Sequence, residues 1–250
     1  MNVGLYQSAA SLSALERWQD IVSQNISSAQ TAGYRKRTVQ FSTQFAGTWN
    51  LPAGGKGDGL SEEIPAQFTR LTGGISFSSG ETQPTRRELD VAIQGEGFFE
   101  LRGPDGQKVY TRNGEFRVTA ERTLVHSSGL EVLTDGGAPI TLQPGGGAVT
   151  INPDGSVQQG GTSLGKLGLQ KFGNPAALRP TRGGMFLAMA GANPQAVERP
   201  ELIQGYLEQS NVQPLREMVD LVLISRAYEA NQKVISSTDD QMDKALKALG

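Results

Sequence analysis

The sequence predicts an α+β protein with a mainly antiparallel β central domain, sandwich- or barrel-like, and a long amphipathic helix at each end. Glycine accounts for 32 of the 250 residues and concentrates between Gly54 and Gly191, which is typical of closely spaced turns. Short segments of alternating apolar and polar residues fill the same region. The two ends contain few glycines and repeat apolar residues at helical spacing instead.

The first helix is predicted within residues 1–35, over about residues 3–30. Its apolar residues recur every seven positions on two neighbouring registers, which is the pattern of a seam that packs against another helix. The residues of this seam are Leu5, Leu12, Leu15, Val22 and Ile26. We expect the helix to end near Thr31, with Gly33 as the C′ residue in a left-handed conformation.

The segment 36–84 is predicted to be an extended, irregular linker. The basic run Arg35-Lys36-Arg37 lies at its start and is interpreted as a solvated turn that complements the helix C-terminus, with binding of an acidic partner as the alternative. Glycine and proline interrupt residues 42–80 repeatedly, so we expect short strands there near Phe68–Leu71 and Ile75–Phe77.

The β-rich central domain is predicted over residues 85–205. Alternating segments are separated by tight-turn sequences at Pro104–Gly106 and Pro153–Gly155. Asn113-Gly114 is a strong hairpin signal, because both residue types tolerate positive φ. Such regular spacing of short strands favours an antiparallel sandwich or barrel.

The second helix is predicted within residues 206–250. Asn211 is the candidate N-cap, and Pro214 lies in the first turn, where a missing N–H costs little. An apolar residue recurs every seven positions, at Leu221, Tyr228, Ile235, Met242 and Leu249. A helix of this length measures about 50 Å and extends beyond a small domain. Two exposed seams require partner helices, and head-to-tail contacts between identical subunits would produce a filament.

The sequence offers little for catalysis. Cysteine is absent and there is one histidine, His126, so a catalytic triad or a zinc site would depend on that residue alone. We expect a structural protein that is not an enzyme and has no cofactor, no metal and no small-molecule substrate. Lys plus Arg number 23 and Asp plus Glu number 25, so the charge balance gives no argument for a nucleic acid partner.

Targeting signals are equally sparse. No uninterrupted apolar run reaches the roughly 18 residues of a membrane span. The N-terminus lacks a basic start followed by a continuous apolar block, so we expect no cleaved signal peptide of the Sec type.

Three segments of the chain resemble the signatures of flagellar rod and hook proteins. The C-terminal segment reads SNVQPLREMVDLVLISRAYEANQKVISSTDDQMDKALKAL, the central one reads LDVAIQGEGFFELRGPDGQKVYTRNGEF, and the N-terminal one reads SQNISSAQTAGYRKRTVQF. They follow one another in the family's order and cover about half of the chain.

The resemblance implies a structural subunit of the flagellar basal-body rod, the axial drive shaft for motility. Members of this family are exported by the flagellar type III apparatus without a cleaved signal peptide, and their partners are other rod and axial subunits. In the periplasm their terminal helices pack together in an inner coiled-coil tube. Carried onto this sequence, the assembly residues are Leu5, Leu12, Leu15, Val22, Ile26, Leu221, Tyr228, Ile235, Met242 and Leu249.

Within the family, the chain length and a divergent N-terminal motif favour a proximal-rod subunit over a distal-rod or other axial subunit. The family commonly has Thr-Pro-Gly where this chain has Thr31-Ala32-Gly33. The alternative from another functional class is a monomeric binding protein with a β domain, whose two end helices pair with each other in a stalk within one chain, which we call a private stalk.

Overall fold

The computed structural model describes residues 3–50 and 63–249. In these residues, one long helix precedes eighteen β-strands along the chain and a second long helix follows them. Helix α1 spans Val3–Ser27 and helix α2 spans Pro214–Leu249. Contacts divide the described residues into two units. Unit 1 contains those of Met1–Ile26, Arg37–Gly74 and Pro214–Gly250, and unit 2 contains Ser27–Lys36 and Ile75–Gln213.

The strands follow in chain order. They are β1 (Arg37–Asn50), β2 (Glu63–Ile75), β3 (Thr82–Pro84), β4 (Val91–Gln94), β5 (Phe98–Arg102), β6 (Lys108–Thr111), β7 (Phe116–Val118), β8 (Leu124–His126), β9 (Glu131–Val132), β10 (Val149–Ile151), β11 (Ser156–Gln159), β12 (Thr162–Lys166), β13 (Leu169–Phe172), β14 (Leu178–Pro180), β15 (Met185–Ala188), β16 (Pro194–Ala196), β17 (Glu201–Gln204) and β18 (Tyr206–Glu208).

In unit 1, β1 and β2 pair as a two-stranded sheet. The strand predicted near Phe68–Leu71 is part of β2. The prediction of irregular structure was wrong for the other residues of β1 and β2, while residues 51–62 lie outside the described part of the chain. Val39 and Phe41 alternate with polar neighbours, which is the pattern of a β-strand. The prediction missed this signal because it gave more weight to the glycine-rich sequence farther along.

Unit 2 is built from antiparallel strands, which confirms the predicted β class. Its largest sheet has nine strands in the order β14-β15-β6-β5-β9-β8-β7, with β13 pairing to β5 and β16 pairing to β13. Three smaller sheets have the orders β10-β11-β12, β17-β4 and β18-β3. No sheet among the described residues closes into a barrel, so the barrel-like alternative was wrong.

Apolar side chains from these sheets form the core of unit 2. Phe99, Leu101, Leu124 and Val132 are fully buried in one cluster, in which Phe99 meets Phe116 edge to face at 5.1 Å between ring centroids. A second cluster is rich in aromatic rings, namely Phe98, Tyr110, Phe172 and Phe186 with Phe77 packed against them.

Two predicted turns are confirmed and one was wrong. Gly106 joins β5 to β6 and Gly155 joins β10 to β11, both with positive φ. Asn113-Gly114 makes no hairpin, because β7 pairs with β8 rather than β6. A Cβ atom at Gly114 would lie 1.8 Å from the Val91 carbonyl oxygen, so this glycine permits a close backbone approach.

A buried ionic clasp, formed by Arg35, Arg112 and Glu208, joins distant parts of unit 2. Arg35 Nη1 lies 2.7 Å from Glu208 Oε1, and Arg112 Nε lies 2.8 Å from Glu208 Oε2. The three side chains are at most 2% exposed. The interpretation of Arg35 as part of a solvated turn was therefore wrong, since its guanidinium pairs with a buried carboxylate more than 170 residues later.

Further hydrogen bonds reach Arg112 and Glu208 of the clasp. Arg112 donates to the carbonyl oxygens of Ile93, Gly95 and Gly97, and the Gly80 N–H donates to Glu208 Oε1 at 2.9 Å. Burial lowers the pKa of Arg112 from its ordinary value, while the adjacent Glu208 opposes that shift. A charged side chain that is removed from water needs a partner of opposite charge to be stable in a protein interior.

The segment 28–36 packs into unit 2 rather than capping a helix. Helix α1 ends at Ser27, so Gly33, although its φ is +67°, is not the C′ residue that we predicted. A Cβ atom there would lie 2.4 Å from the backbone of Arg112. Asn211 is not the N-cap of α2 either, because its Oδ1 accepts from the Lys36 N–H at 2.6 Å.

His126 is a buried structural residue of unit 2. Its Nδ1 lies 2.7 Å from Ser128 Oγ and 3.1 Å from the Ser128 backbone nitrogen. Its Nε2 is buried and has no hydrogen-bond partner among the described residues. Desolvation lowers the pKa of His126 to about 4, with Glu115 opposing and Arg117 reinforcing the shift.

We expect acid to destabilise unit 2 through His126. Because its pKa is lower in the folded chain than in the unfolded one, the unfolded chain binds the extra proton between about pH 6.5 and pH 4, and stability falls by about 3 kcal/mol as pH decreases through that window. Chemical denaturation of the parent and His126→Gln at pH 7 and pH 4.5 checks this. Equal losses of stability in the two proteins would contradict it.

We expect Glu208→Gln to destabilise unit 2 by about 3–5 kcal/mol, because it leaves two buried arginines without their anion. Hydrogen exchange of unit 2 peptides by mass spectrometry measures the effect. The matched control is Glu198→Gln, at an exposed glutamate of the same unit. Adding Arg35→Met to Glu208→Gln should restore part of the loss, because it removes one of the two unpaired cations, and strictly additive effects would contradict the clasp.

Candidate assembly site

Helices α1 and α2 share one apolar cluster within unit 1. Leu15, Val22 and Ile224 form its buried centre. Five half-buried residues pack around it, namely Trp18, Ile26, Leu221, Ala227 and Tyr228. The C-terminal half of α1 therefore meets the N-terminal half of α2 inside one chain, where burial of these side chains removes apolar surface from water.

Hydrogen bonds reinforce the contact at Asn25 on α1. Its Nδ2 donates to Glu217 Oε2 at 2.9 Å and to the Arg37 carbonyl oxygen at 2.9 Å. Its Oδ1 accepts from the Arg37 N–H at 2.9 Å. Asn25 and Glu217 are each 1% exposed, and Glu217 lies in the first turn of α2, where the helix dipole favours a negative charge. One amide side chain thus links α1, the start of β1 and the start of α2.

The predicted seam is partly assembled in this cluster. The structure brings together Leu15, Val22, Ile26, Leu221 and Tyr228. Leu12 and Ile235 are half-buried and are not members of the cluster. The side chains of Leu5, Met242 and Leu249 lie outside the described part of the chain.

Sequence reasoning gave too little weight to Ile224, which is the most deeply buried α2 residue of the cluster, at 1% exposure. Its position three residues after Leu221 and four before Tyr228 was the available signal, because residues at these spacings share a helix face. A strict seven-residue register does not include it.

Helix α2 carries a second apolar stripe, which we call the outer face. It consists of Leu215, Met218, Val219, Val222 and Leu223, at the i, i+3, i+4, i+7 and i+8 positions of a helix. Leu215 is 79% exposed and the other four are 50–59% exposed. At about 100° per residue, this stripe points away from Leu221, Ile224 and Tyr228. The helix therefore presents apolar side chains on opposite sides, and those of the outer face are exposed.

Other exposed apolar side chains also concentrate in unit 1. Phe41 and Phe45 on β1 are 48% and 60% exposed, and Phe41 also meets Trp18 edge to face at 5.3 Å. Among the large apolar residues described as exposed, three belong to unit 2, namely Val118, Met189 and Tyr206. An apolar surface of this kind is typical of a site that binds another protein.

Metal centres and membrane-spanning helices are two other kinds of site to consider among the described residues. Among them, no group of three or more His, Cys, Asp or Glu side chains is placed to hold a metal ion. No helix in the described part of the chain combines the length and hydrophobicity needed to cross a membrane. The feature that stands out is a surface suited to packing against other helices.

Sequence comparisons agree with this geometry. The family description "Flagellar hook protein FlgE/F/G D1 domain" matches residues 92–159, a range that contains Arg112 of the clasp. The description "Flagellar basal body rod FlgEFG protein C-terminal" matches residues 203–248, a range that contains Glu208 and the outer face.

Full-length relatives carry the same names. The flagellar basal-body rod protein FlgF of Caulobacter vibrioides is 35% identical, over 100% of this chain and 99% of the relative. FlgF of Mesorhizobium japonicum is 31% identical over the same shares. FlgG of Borreliella burgdorferi is 30% identical over 95% of both chains.

The relatives bear the names of structural rod proteins, which confirms the prediction of a protein that is not an enzyme. The match covers the whole chain, and its identity to FlgF proteins exceeds that to the FlgG protein above. The chain therefore belongs to the flagellar basal-body rod protein family.

Proposed function

We propose that this chain is a proximal-rod subunit that polymerises through its terminal helices, with the outer face of α2 as an inter-subunit contact. The observation that carries the proposal is the outer face itself. Five large apolar residues on one side of a helix remain exposed after the opposite side has packed against α1. Burial of such side chains against a neighbouring helix is favourable by about 25 cal/mol per Å² of apolar area.

The ten residues of the predicted seam then divide between two tasks. Leu15, Val22, Ile26, Leu221 and Tyr228 hold α1 and α2 together within each subunit. We assign Leu5, Leu12, Ile235, Met242 and Leu249 to contacts between subunits, in a coiled-coil arrangement of terminal helices. A subunit with its helices already joined presents a preformed surface, which lowers the entropy cost of association.

The relatives are named as basal-body rod proteins, which supports a place for this chain in the flagellar basal body. We propose that the flagellar type III apparatus exports the chain without a cleaved signal peptide. The chain then joins other rod and axial subunits in the periplasm, and the assembled rod transmits rotation for motility.

The intrachain cluster also supports a second candidate, in which α1 and α2 form a private stalk and unit 2 binds a separate ligand as a monomer. The cluster of α1 with α2 is what such a stalk requires. The stalk arrangement gives the outer face of α2 no role. For that reason we prefer a function in which the subunits polymerise.

We expect Val222→Asp to block rod assembly while the isolated subunit stays folded. The substituted side chain is exposed in the monomer and is buried, without a counter-charge, between subunits in the proposed contact. Swimming in soft agar and electron microscopy of basal bodies measure assembly, and circular dichroism of the purified chain measures folding. The matched control is Gln232→Asp, at an exposed polar position of the same helix. Normal motility of the Val222→Asp strain would refute the proposed contact.

Tyr228→Asp should behave differently, because Tyr228 packs against the cluster within the chain. We expect this change to lower the stability of unit 1 in the isolated subunit by about 2–4 kcal/mol, since it removes an aromatic contact and places a charge beside apolar groups. Tryptophan fluorescence during urea denaturation, measured in a Trp49→Phe background so that Trp18 is the single emitter, reports on the cluster. An unchanged midpoint for Tyr228→Asp would mean that this residue does not hold α2 in place.

A further inference from the structure

A cavity of about 340 Å³ in unit 2 combines aromatic walls with cationic side chains. Phe77, Phe98 and Phe172 line it on the apolar side. Arg35 and Arg112 of the clasp also line it, together with Lys171. Its volume lies in the range of sites that bind small ligands or the side chains of a partner.

The charge at this cavity is not fully balanced by the clasp. Glu208 is the carboxylate shared by Arg35 and Arg112, so these three groups together carry one positive charge. Lys171 and Glu96 also line the cavity. Both are exposed to water, so solvent screens their opposite charges alike and they cancel. The buried clasp therefore supplies the net positive charge of the cavity wall.

One hydrogen-bond donor in the clasp remains unused. Arg35 Nη1 donates to Glu208 and to the Ser78 carbonyl oxygen. Arg35 Nε is buried and has no acceptor among the described residues. A buried donor without an acceptor is unfavourable, and Arg35 borders a cavity large enough to admit one.

We propose that this cavity binds a carboxylate adjacent to an aromatic or branched apolar side chain, supplied by a peptide segment of a neighbouring axial subunit. The aromatic walls accept the apolar part, while Arg35 and Lys171 attract the carboxylate. The peptide source rests on the proposed function, because a structural subunit meets other protein chains. The binding chemistry itself depends on the cavity alone.

The test uses two small probes on the full-length monomer. N-acetyl-phenylalanine has one ring and one carboxylate, and N-acetyl-phenylalaninamide is its neutral match. We expect the acid to shift the amide resonances of Gly95 and Gly97, which line the cavity, and to bind about tenfold tighter than the amide, as expected for a charge-assisted contact. Equal affinities, or no shift at these glycines, would overturn the proposal.

Three variants locate the binding site. Lys171→Gln should weaken binding of the acid about fivefold, the effect of one charge at contact distance in water. Ser79→Trp should abolish binding, because Ser79 is an exposed residue of the cavity lining and the indole would occupy the space. Arg179→Gln, at an exposed arginine that does not line this cavity, should leave the affinity unchanged. Loss of binding in Arg179→Gln but not in Lys171→Gln would place the site elsewhere.

A third probe identifies the source of the carboxylate. The acetylated dipeptide amide Phe-Glu carries its carboxylate on a side chain, as an internal segment of a protein does. We expect it to compete with N-acetyl-phenylalanine. Binding of the acid without competition by the dipeptide would mean that the cavity takes a small carboxylate and would overturn the peptide proposal. Val222→Asp should keep this binding, so failure of α2 assembly and failure of the cavity are distinguishable.

Discussion

The fold of unit 2 depends on the shared carboxylate of Glu208. A single buried anion holds two buried cations, Arg35 and Arg112, that are separated by 77 positions in the sequence. An unpaired charge in this position would be costly, so both arginines depend on Glu208. The clasp thereby ties the segment that follows α1 to β18, the last strand before α2. Both of these segments belong to unit 2.

The sequence predicted the parts of the structure that depend on local pattern. The two helices, the antiparallel β class and the turns at Gly106 and Gly155 follow from periodicity and turn chemistry, which act over a few residues. The same reasoning failed where distant contacts determine conformation. Gly114 carries a hairpin signature, yet its role is to let β4 approach closely. Asn211 has the chemistry of an N-cap but binds the backbone at Lys36.

In the candidate site too, local sequence pattern predicted some features and missed those that depend on distant contacts. A seven-residue repeat located the cluster that joins α1 to α2 through Leu221 and Tyr228. It did not predict that this seam would be used within one chain and that the opposite stripe, from Leu215 to Leu223, would be exposed. Both stripes are apolar, and periodicity alone does not indicate which one meets a partner. The burial of Ile224 against α1 makes that distinction.

The central claim is that the outer face of α2 lies between subunits. Cross-linking tests this claim most directly. The natural chain has no cysteine, so Val219→Cys introduces a single thiol on the outer face and Gln232→Cys introduces one at an exposed polar position of the same helix. Purified basal bodies of each strain would be treated with a maleimide–benzophenone reagent, whose maleimide couples to the introduced thiol and whose photoactivated ketone bonds to a nearby C–H carbon of the neighbouring chain. Our account predicts covalent dimers, of this chain with itself or with another axial subunit, for Val219→Cys in assembled rods and not in the dilute monomer. Val219→Cys rods that yield no more cross-linked product than Gln232→Cys rods would contradict it.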